Sequence, residues 1–279
     1  MKGERISHSI SDIVYYVSEQ GNYRTTNEDK HDIVINLNGN NRNKSNVNFY
    51  GLYDGHGGSF VSKFLADNMS KCLTDKRVSY PPNIRFIKKI YTCVQEELRT
   101  KHNKYSSETG STCVVVIHYK KNDNDYLCVM NTGDSRAIIC RNNMGMPLTK
   151  DHKPNWPEEY IRILNLGGQI ESDTPDYRIC GLSVSRAFGD INAEPFVTFM
   201  PDIFQYKLTK KDKFIVLGCD GLWDVVDNQE CVNFVLNCCY DITSGLRIHK
   251  KINIAAKLAD YALHKGSSDN ITIIVVFFD

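Results

Sequence analysis

Acidic side chains recur at the ends of apolar runs throughout this sequence of 279 residues. The acids in such positions are Glu28, Asp29, Asp54, Asp134, Asp220, Asp224 and Asp269. If the runs are strands whose ends meet at one edge, like charges about 4 Å apart repel by about 4 kcal/mol at an effective dielectric constant near 20. A cation must offset that repulsion. Hard divalent ions prefer oxygen ligands, and the sequence has no cluster of His or Cys typical of zinc sites, so Mg²⁺ or Mn²⁺ is the expected ion.

Each of these aspartates, taken alone, could simply form the turn after its strand. Two glycines favour ion binding over simple turn formation for the group of acids as a whole. Asp54-Gly55 and Asp220-Gly221 allow sharp turns that bring a main-chain carbonyl within reach of an ion. The stretch DGHGG at 54–58 also contains more glycine than the start of a helix requires. This composition indicates close approach of the backbone to an ion or ligand.

The elements that must position these acids follow from the apolar periodicity. Short apolar or alternating runs predict strands at 12–17, 33–37, 48–53, 111–119, 126–130, 136–141, 214–219 and 271–278. Helical spacing predicts helices at 60–73, 84–98, 158–166, 229–239 and 254–264. Strands in runs and helices in blocks favour an α+β fold with antiparallel sheets over alternating βαβ units. We expect a single domain over residues 1–279, with a loop-rich flap at about 151–190.

Composition excludes several classes of partner. The 34 basic and 33 acidic residues give a net charge of +1, without the cationic excess that nucleic-acid binding requires. The longest apolar stretch, 271–278, is far shorter than the roughly 20 residues that cross a bilayer. The 10 cysteines include no C-x-x-C pair and favour reduced, buried thiols, and no signal peptide is evident. We therefore expect a cytoplasmic or nuclear monomer with no nucleic-acid or membrane partner.

Short motifs, in order along the chain, carry a resemblance to a known family. They are RTTNED (24–29), DGHGG (54–58), TGST (109–112), NTGDSR (131–136), DHKP (151–154), LSVSRAFGD (182–190), GCDGLWD (218–224) and SDN (268–270). From about residue 21 to the C-terminus, the chain resembles the metal-dependent protein phosphatases, the type 2C serine/threonine family. The resemblance implies a four-layer αββα sandwich, in which two antiparallel β-sheets are flanked by pairs of antiparallel helices. It also implies hydrolysis of phosphoserine and phosphothreonine by a metal-activated water, with phosphorylated proteins as substrates.

The resemblance further implies two Mg²⁺ or Mn²⁺ ions at one end of the sandwich. In the family pattern Asp54 bridges both ions, and Asp220 and Asp269 complete the coordination of one of them. Glu28 and the Gly55 carbonyl serve the other, partly through water. All of these residues are present in this sequence, which is typical of an active member of the family.

Four other residues receive a role at the same site. Asp134 and Asp224 match the family's position for a third, weakly bound ion. Arg24 is placed to hold two phosphate oxygens with its planar guanidinium. His56, with an ordinary pKa of about 6.5, can protonate a departing serine or threonine alkoxide. The flap motifs DHKP and SRAFGD can hold the flap in place without touching a substrate.

Two other functions stay open at this point. Cysteine-dependent phosphatases use a C-x₅-R motif, and the sequence contains that spacing at Cys93–Arg99 and at Cys180–Arg186. Neither cysteine is preceded by histidine, and the first lies in a predicted helix without the glycines of a phosphate-binding loop, so chance explains both. The second possibility is a catalytically weak phosphoprotein-binding or regulatory module on the same fold.

Overall fold

The computed structural model of this chain describes residues 2–6, 12–36, 47–72, 79–172, 176–241, 243–248 and 252–278. Two large antiparallel sheets dominate this part of the chain. The first sheet contains, in spatial order, β1 (Lys2–Ile6), β2 (Asp12–Glu19), β14 (Ile271–Phe278), β13 (Asp212–Gly218), β9 (Arg136–Arg141) and β10 (Met144–Pro147). The C-terminal strand β14 therefore pairs with the second strand, β2, inside this sheet.

The second sheet contains, in spatial order, β12 (Asp202–Lys207), β8 (Asn124–Thr132), β7 (Cys113–Lys121), β4 (Val47–Tyr53) and β3 (Lys30–Val34). A small sheet joins three two-residue strands in the order β11 (Phe188–Gly189), β6 (Gly110–Ser111) and β5 (Gly55–His56). This small sheet brings together segments that lie far apart in the sequence. Strand β5 contains His56, and β11 ends one residue before Asp190. The small sheet therefore positions two residues of the site described below.

Helices cover the outer faces of both sheets. The described helices are α1 (Phe60–Cys72), α2 (Ile84–Lys101), α3 (Asn103–Ser106), α4 (Pro157–Asn165), α5 (Asp220–Trp223), α6 (Asn228–Cys239) and α7 (Ile254–His264). Of these, α4 belongs to the flap. Side chains of α1 and α2 form one apolar cluster with the second sheet, and those of α5, α6 and α7 form another with the first sheet. A third cluster lies between the two sheets. The predicted four-layer αββα sandwich is confirmed.

The alternation along β14 explains why its sequence forms a central strand. Ile271, Ile273 and Phe277 belong to the cluster under the helices, whereas Ile274 and Val276 belong to the cluster between the sheets. Successive side chains of a strand point to opposite faces, so a strand covered on both sides reads as a continuous apolar run. Among the described residues, no helix is both long and apolar enough to cross a membrane.

The predicted strand at 33–37 lies three residues earlier in the structure, as β3, and residue 37 falls outside the described part of the chain. Helix α6 begins at an N-cap, because Asp227 Oδ1 accepts a hydrogen bond from the Glu230 amide at 2.8 Å. The flap contains a small apolar cluster of its own. Its buried members are Ile163, Ile179, Val184, Ala187, Ala193 and Val197, so the cluster extends beyond residue 190. The single-domain boundary stays a prediction.

Candidate metal centre

The predicted acids converge at one end of the sandwich, where strands of both sheets end. Asp54 lies between β4 and β5, Asp134 lies in the β8–β9 turn, and Glu28 lies two residues before β3. Asp220 begins α5 directly after β13, and Asp269 precedes β14. All five line one cavity of about 240 Å³, together with the other predicted residues Arg24, Gly55 and His56. The structure therefore brings together acids from five separate connections.

Asp224 is the C-cap of α5, one turn beyond Asp220, and its amide donates a hydrogen bond to the Asp220 carbonyl at 2.9 Å. It is more exposed than the acids of the cavity. Burial raises the pKa of Asp224, the Lys153 ammonium opposes that effect, and the charge of Asp134 adds to it. The negative charges of Asp134 and Asp224 thus repel one another at the edge of the cavity.

The acids at the centre of the cavity hold protons more strongly than ordinary carboxyl groups. Burial raises the pKa of Asp54 well above its usual range, and the charges of Asp220, Asp29, Asp134 and Asp269 raise it further. The pKa of Asp220 rises in the same way, from burial and then from neighbouring aspartates. A nearby cation would stabilise the ionised form of carboxylates that repel one another in this way. The donor set consists of oxygen atoms, which fits Mg²⁺ or Mn²⁺.

Asp29 is a further acid of the centre that the predicted ligand set does not include. Its carboxylate is buried, and one of its oxygen atoms, Oδ2, accepts no hydrogen bond. Ligand atoms of Asp29, Asp54 and Cys219 lie within 4.8 Å of one another. Burial raises the pKa of Asp29 to about 6. The sequence signal for Asp29 was its position directly after Glu28. Successive side chains of an extended chain point in opposite directions, so both acids of such a pair can line one site.

The glycine-rich turn after Asp54 is required by a close approach of two backbones. A Cβ at Gly55 would lie 2.6 Å from the Glu28 carbonyl oxygen, so only glycine fits there. The Gly58 amide donates a hydrogen bond to Glu28 Oε2 at 3.2 Å, and Gly58 has a φ of 140°. The Asp54 amide donates to Thr112 Oγ1 at 3.1 Å. These contacts fix Glu28 and Asp54 on neighbouring walls of the cavity.

His56 forms an ion pair with Asp190, which sequence reasoning did not assign to the site. His56 Nε2 lies 2.8 Å from Asp190 Oδ2, and the Asp190 side chain is buried. Burial lowers the pKa of His56, but the hydrogen bond and charge of Asp190 outweigh it and leave this pKa above its ordinary value. A Cβ at Gly110 would lie 2.0 Å from Asp190 Oδ2 and 2.4 Å from His56 Nε2. Gly110 therefore leaves the space in which the pair meets.

Arg24 lies at the cavity, and its guanidinium contacts a predicted metal ligand. Its Nη2 donates a hydrogen bond to Asp269 Oδ2, and about half of the Arg24 side chain is exposed. Burial opposes the charged form, whereas the charge of Asp269 and this hydrogen bond raise the pKa of Arg24. Arg178 is a second arginine that lines the cavity, and the sequence motifs did not single it out. It comes from the flap, where its Nη1 donates to the Gly181 carbonyl at 2.7 Å.

The flap motifs make contacts that hold the flap in place. Arg136 Nε and Nη2 donate to the two carboxylate oxygens of Asp151 at 3.0 and 2.7 Å. Arg186 donates to Glu159, and it also donates to Asp202 at 2.9 Å. Planar two-point contacts of this kind fix orientation as well as position.

Neither C-x₅-R pair has the geometry of a cysteine-dependent phosphatase. Arg99 forms an ion pair with Glu194, and Arg186 is engaged with two carboxylates, so neither guanidinium is available for a phosphate. Burial raises the pKa of Cys180, which disfavours its thiolate, the nucleophilic form. The pairs are chance spacings, as the sequence indicated.

Comparison with known proteins places the whole arrangement in one family. The family model for protein phosphatase 2C matches residues 13–271. The human integrin-linked kinase-associated serine/threonine phosphatase 2C is 33% identical over 292 residues, covering 94% of this chain and 71% of that protein. A probable protein phosphatase 2C of Arabidopsis thaliana is 32% identical and covers 94% of this chain, which spans only 64% of that relative.

Solved structures show the same fold. A phosphatase from a pathogenic strain of Toxoplasma gondii matches with a TM-score of 0.81 at 23% identity, covering 100% of this chain and 96% of that one. The serine/threonine phosphatase Stp1 of Staphylococcus aureus matches with a TM-score of 0.69 at 21% identity, over 100% of both chains. Together with the sequence matches and the converging acids, these likenesses lead to one conclusion. The chain belongs to the protein phosphatase 2C family of serine/threonine phosphatases.

Proposed function

We propose that this chain hydrolyses phosphoserine and phosphothreonine in proteins with Mg²⁺ or Mn²⁺ held by the clustered acids. The observation that carries the proposal is the convergence of five carboxylates on one cavity, among them Asp54 and Asp220. The raised pKa of these two aspartates is consistent with that crowding. Side chains that repel one another so strongly are tolerated where a cation binds them. An unpartnered, buried Asp29 oxygen beside Asp54 supports the same interpretation.

The family pattern implies that the ligands divide between two ions, and the positions of the residues in the cavity support that division. Asp54 lies centrally and would contact both ions. Asp220 and Asp269, which follow and precede neighbouring strands of the first sheet, would complete one site. Glu28 and the Gly55 carbonyl, on the side of the second sheet, would hold the other. Asp134 and Asp224 are left for a third and weaker ion.

When bound, such ions would lower the pKa of a coordinated water and neutralise phosphoryl oxygens, chemistry that suits direct in-line attack on phosphorus. Arg24 binds the phosphate of the substrate. Its guanidinium has five N–H donors, so contact with Asp269 leaves others for phosphate oxygens. His56 supplies a proton to the leaving alkoxide from Nδ1, because Nε2 is held by Asp190. The pKa of His56, which Asp190 raises, favours the protonated form that this role needs.

Hydrolysis of a phosphothreonine peptide in Mn²⁺ tests the proposal. We expect turnover that excess EDTA abolishes and that iodoacetamide leaves unchanged. Asp54→Asn should abolish turnover, whereas Asp260→Asn on the exposed face of α7 should not change it. Turnover that survives EDTA would contradict the proposal. Uptake of Mn²⁺ without turnover would instead favour the regulatory module.

The substrates that we propose are phosphorylated proteins, and we propose that the chain acts on them as a monomer in the cytoplasm or nucleus. The balanced charge of 34 basic and 33 acidic residues supports protein rather than nucleic-acid partners. Fractionation of cells and the elution volume of the purified chain test these two points.

A further inference from the structure

Lys153 is tied to the turn that carries Asp134. The two residues before it anchor the start of the flap, since Asp151 binds Arg136 and the His152 amide donates to the Gly133 carbonyl at 3.0 Å. The Gly133 amide donates in return to His152 Nδ1 at 3.1 Å. This backbone arrangement brings Lys153 Nζ to 3.2 Å from Asp134 Oδ2.

The Lys153 ammonium faces several carboxylates at once. Asp134 is 3% exposed, whereas the Lys153 side chain is 34% exposed, so the lysine reaches inward from the edge of the cavity. Burial lowers the pKa of Lys153, but the charges of Asp134, Asp224 and Asp220 outweigh it and raise that pKa. Lys153 in turn opposes the effect of burial on the pKa of both Asp134 and Asp224.

We propose that Lys153 is a tethered cation for Asp134 and Asp224, and that its ammonium competes with a third divalent ion for these two carboxylates. The inference rests on the proposed function, which assigns those acids to the weakest ion. Two cations within about 4 Å repel one another, so binding of an ion to Asp134 weakens the contact of Lys153 with the same carboxylate. A lysine ammonium is a compact charge on a flexible stem, and it can withdraw without unfolding its surroundings. Binding of the third ion would therefore detach Lys153, at the base of the flap, from the metal centre.

Equilibrium binding of Mn²⁺, measured by electron paramagnetic resonance of the free ion, tests the competition directly. Lys153→Met should tighten the weakest class of bound Mn²⁺ at least tenfold and leave the two tighter ions within twofold of the wild type. Lys153→Arg, which keeps the charge, should behave as the wild type. Lys150→Met is the matched control, because Lys150 lies three residues away and pairs with exposed Glu158 instead of the centre.

Thermal melting gives a second readout that needs no turnover. In EDTA, Lys153→Met leaves Asp134 buried without its cation, so its melting temperature should fall below that of the wild type. Millimolar Mn²⁺ should close the gap, and Asp134→Asn in the same background should remove the effect of Mn²⁺ on it. Lys153→Gln, which is neutral but polar, repeats the binding measurement if the methionine variant folds poorly.

The results separate this inference from the proposed function. If the wild type binds two tight ions and hydrolyses the peptide, but the weakest class is unchanged in both neutral variants, Lys153 is not a competitor. An equal difference in melting temperature between the wild type and Lys153→Met, with and without Mn²⁺, would also contradict the proposed competition. If the wild type takes up no Mn²⁺ at all, the proposed function itself fails.

Discussion

Replacing Asp190 with asparagine tests how His56 is made a proton donor. Asparagine is close in shape to aspartate and tolerates the left-handed backbone at this position, where φ is 46°. The change removes the charge that lies 2.8 Å from His56 Nε2. Hydrogen bonds to a charged group contribute about 1.5–3 kcal/mol, which corresponds to roughly 10-fold to 100-fold in a rate. We therefore expect kcat on a phosphothreonine peptide to fall within that range.

The loss should depend on the leaving group. An aryl phosphate needs less protonation on departure, so Asp190→Asn should slow its hydrolysis by less than about threefold. His56→Ala should cost more on the peptide, about 100-fold to 10,000-fold, which is the usual contribution of a general acid. The double variant combines Asp190→Asn with His56→Ala. Because the histidine is already absent, Asp190→Asn should add nothing to the loss of rate caused by His56→Ala.

Glu194→Gln is the matched control for this series. Glu194 lies four residues from Asp190 and binds Arg99 and Gln95 instead of a histidine. Rates for both substrates should equal those of the wild type. Equal losses on the peptide and the aryl phosphate, or losses that multiply in the double variant, would refute the role of Asp190 in positioning and charging His56.

Three further predictions concern the same fold. Gly110→Ala should lower peptide turnover at least tenfold, a loss measured as kcat, because the new methyl collides with the His56 partner and overpacking displaces side chains. Asp54→Asn should abolish Mn²⁺-dependent turnover and yet raise the melting temperature in EDTA, since it removes one of several repelling carboxylates; a lower melting temperature would contradict that reasoning. Burial lowers the pKa of His118, but hydrogen bonds to Asp12 and Asp125 raise it to about 9. The stability that protonated His118 contributes is fully present below about pH 6.5 and is lost as pH rises through 9. Urea unfolding in EDTA should therefore show a free energy of unfolding that falls by about 3 kcal/mol between these pH values, and His118→Gln should abolish that fall.

The sequence predicts the strands that are covered on both faces and misses several at the edges. The run at 271–278 is apolar throughout because β14 is buried between helices and the other sheet. The edge strands β1, β10 and β12 were not predicted. Strands β10 and β12 are mostly exposed or half-buried, so their sequences lack a strong apolar pattern. Edge strands form because a neighbouring strand offers hydrogen bonds, and that neighbour is not visible in local periodicity.

The candidate site also contains residues that the sequence predicted and residues that it missed. Its acids were predicted because motifs of matching type and spacing carry them, and eight of the nine named residues line one cavity, with Asp224 at its edge. Asp190 and Arg178 were missed, because their partners are set by contacts with distant segments. Asp190 reaches His56 across 134 positions of sequence. Arg178 lies outside the eight sequence motifs, so no pattern singled it out.

The central claim is that the clustered carboxylates hold divalent ions. Calorimetric titration of the purified chain with Mn²⁺ at neutral pH tests it most directly, with Asp54→Asn titrated alongside. We predict two tight binding events in the wild type and the loss of both in the variant, because Asp54 would contact both ions. No heat of binding at millimolar Mn²⁺, or identical titrations of the two proteins, would contradict the claim.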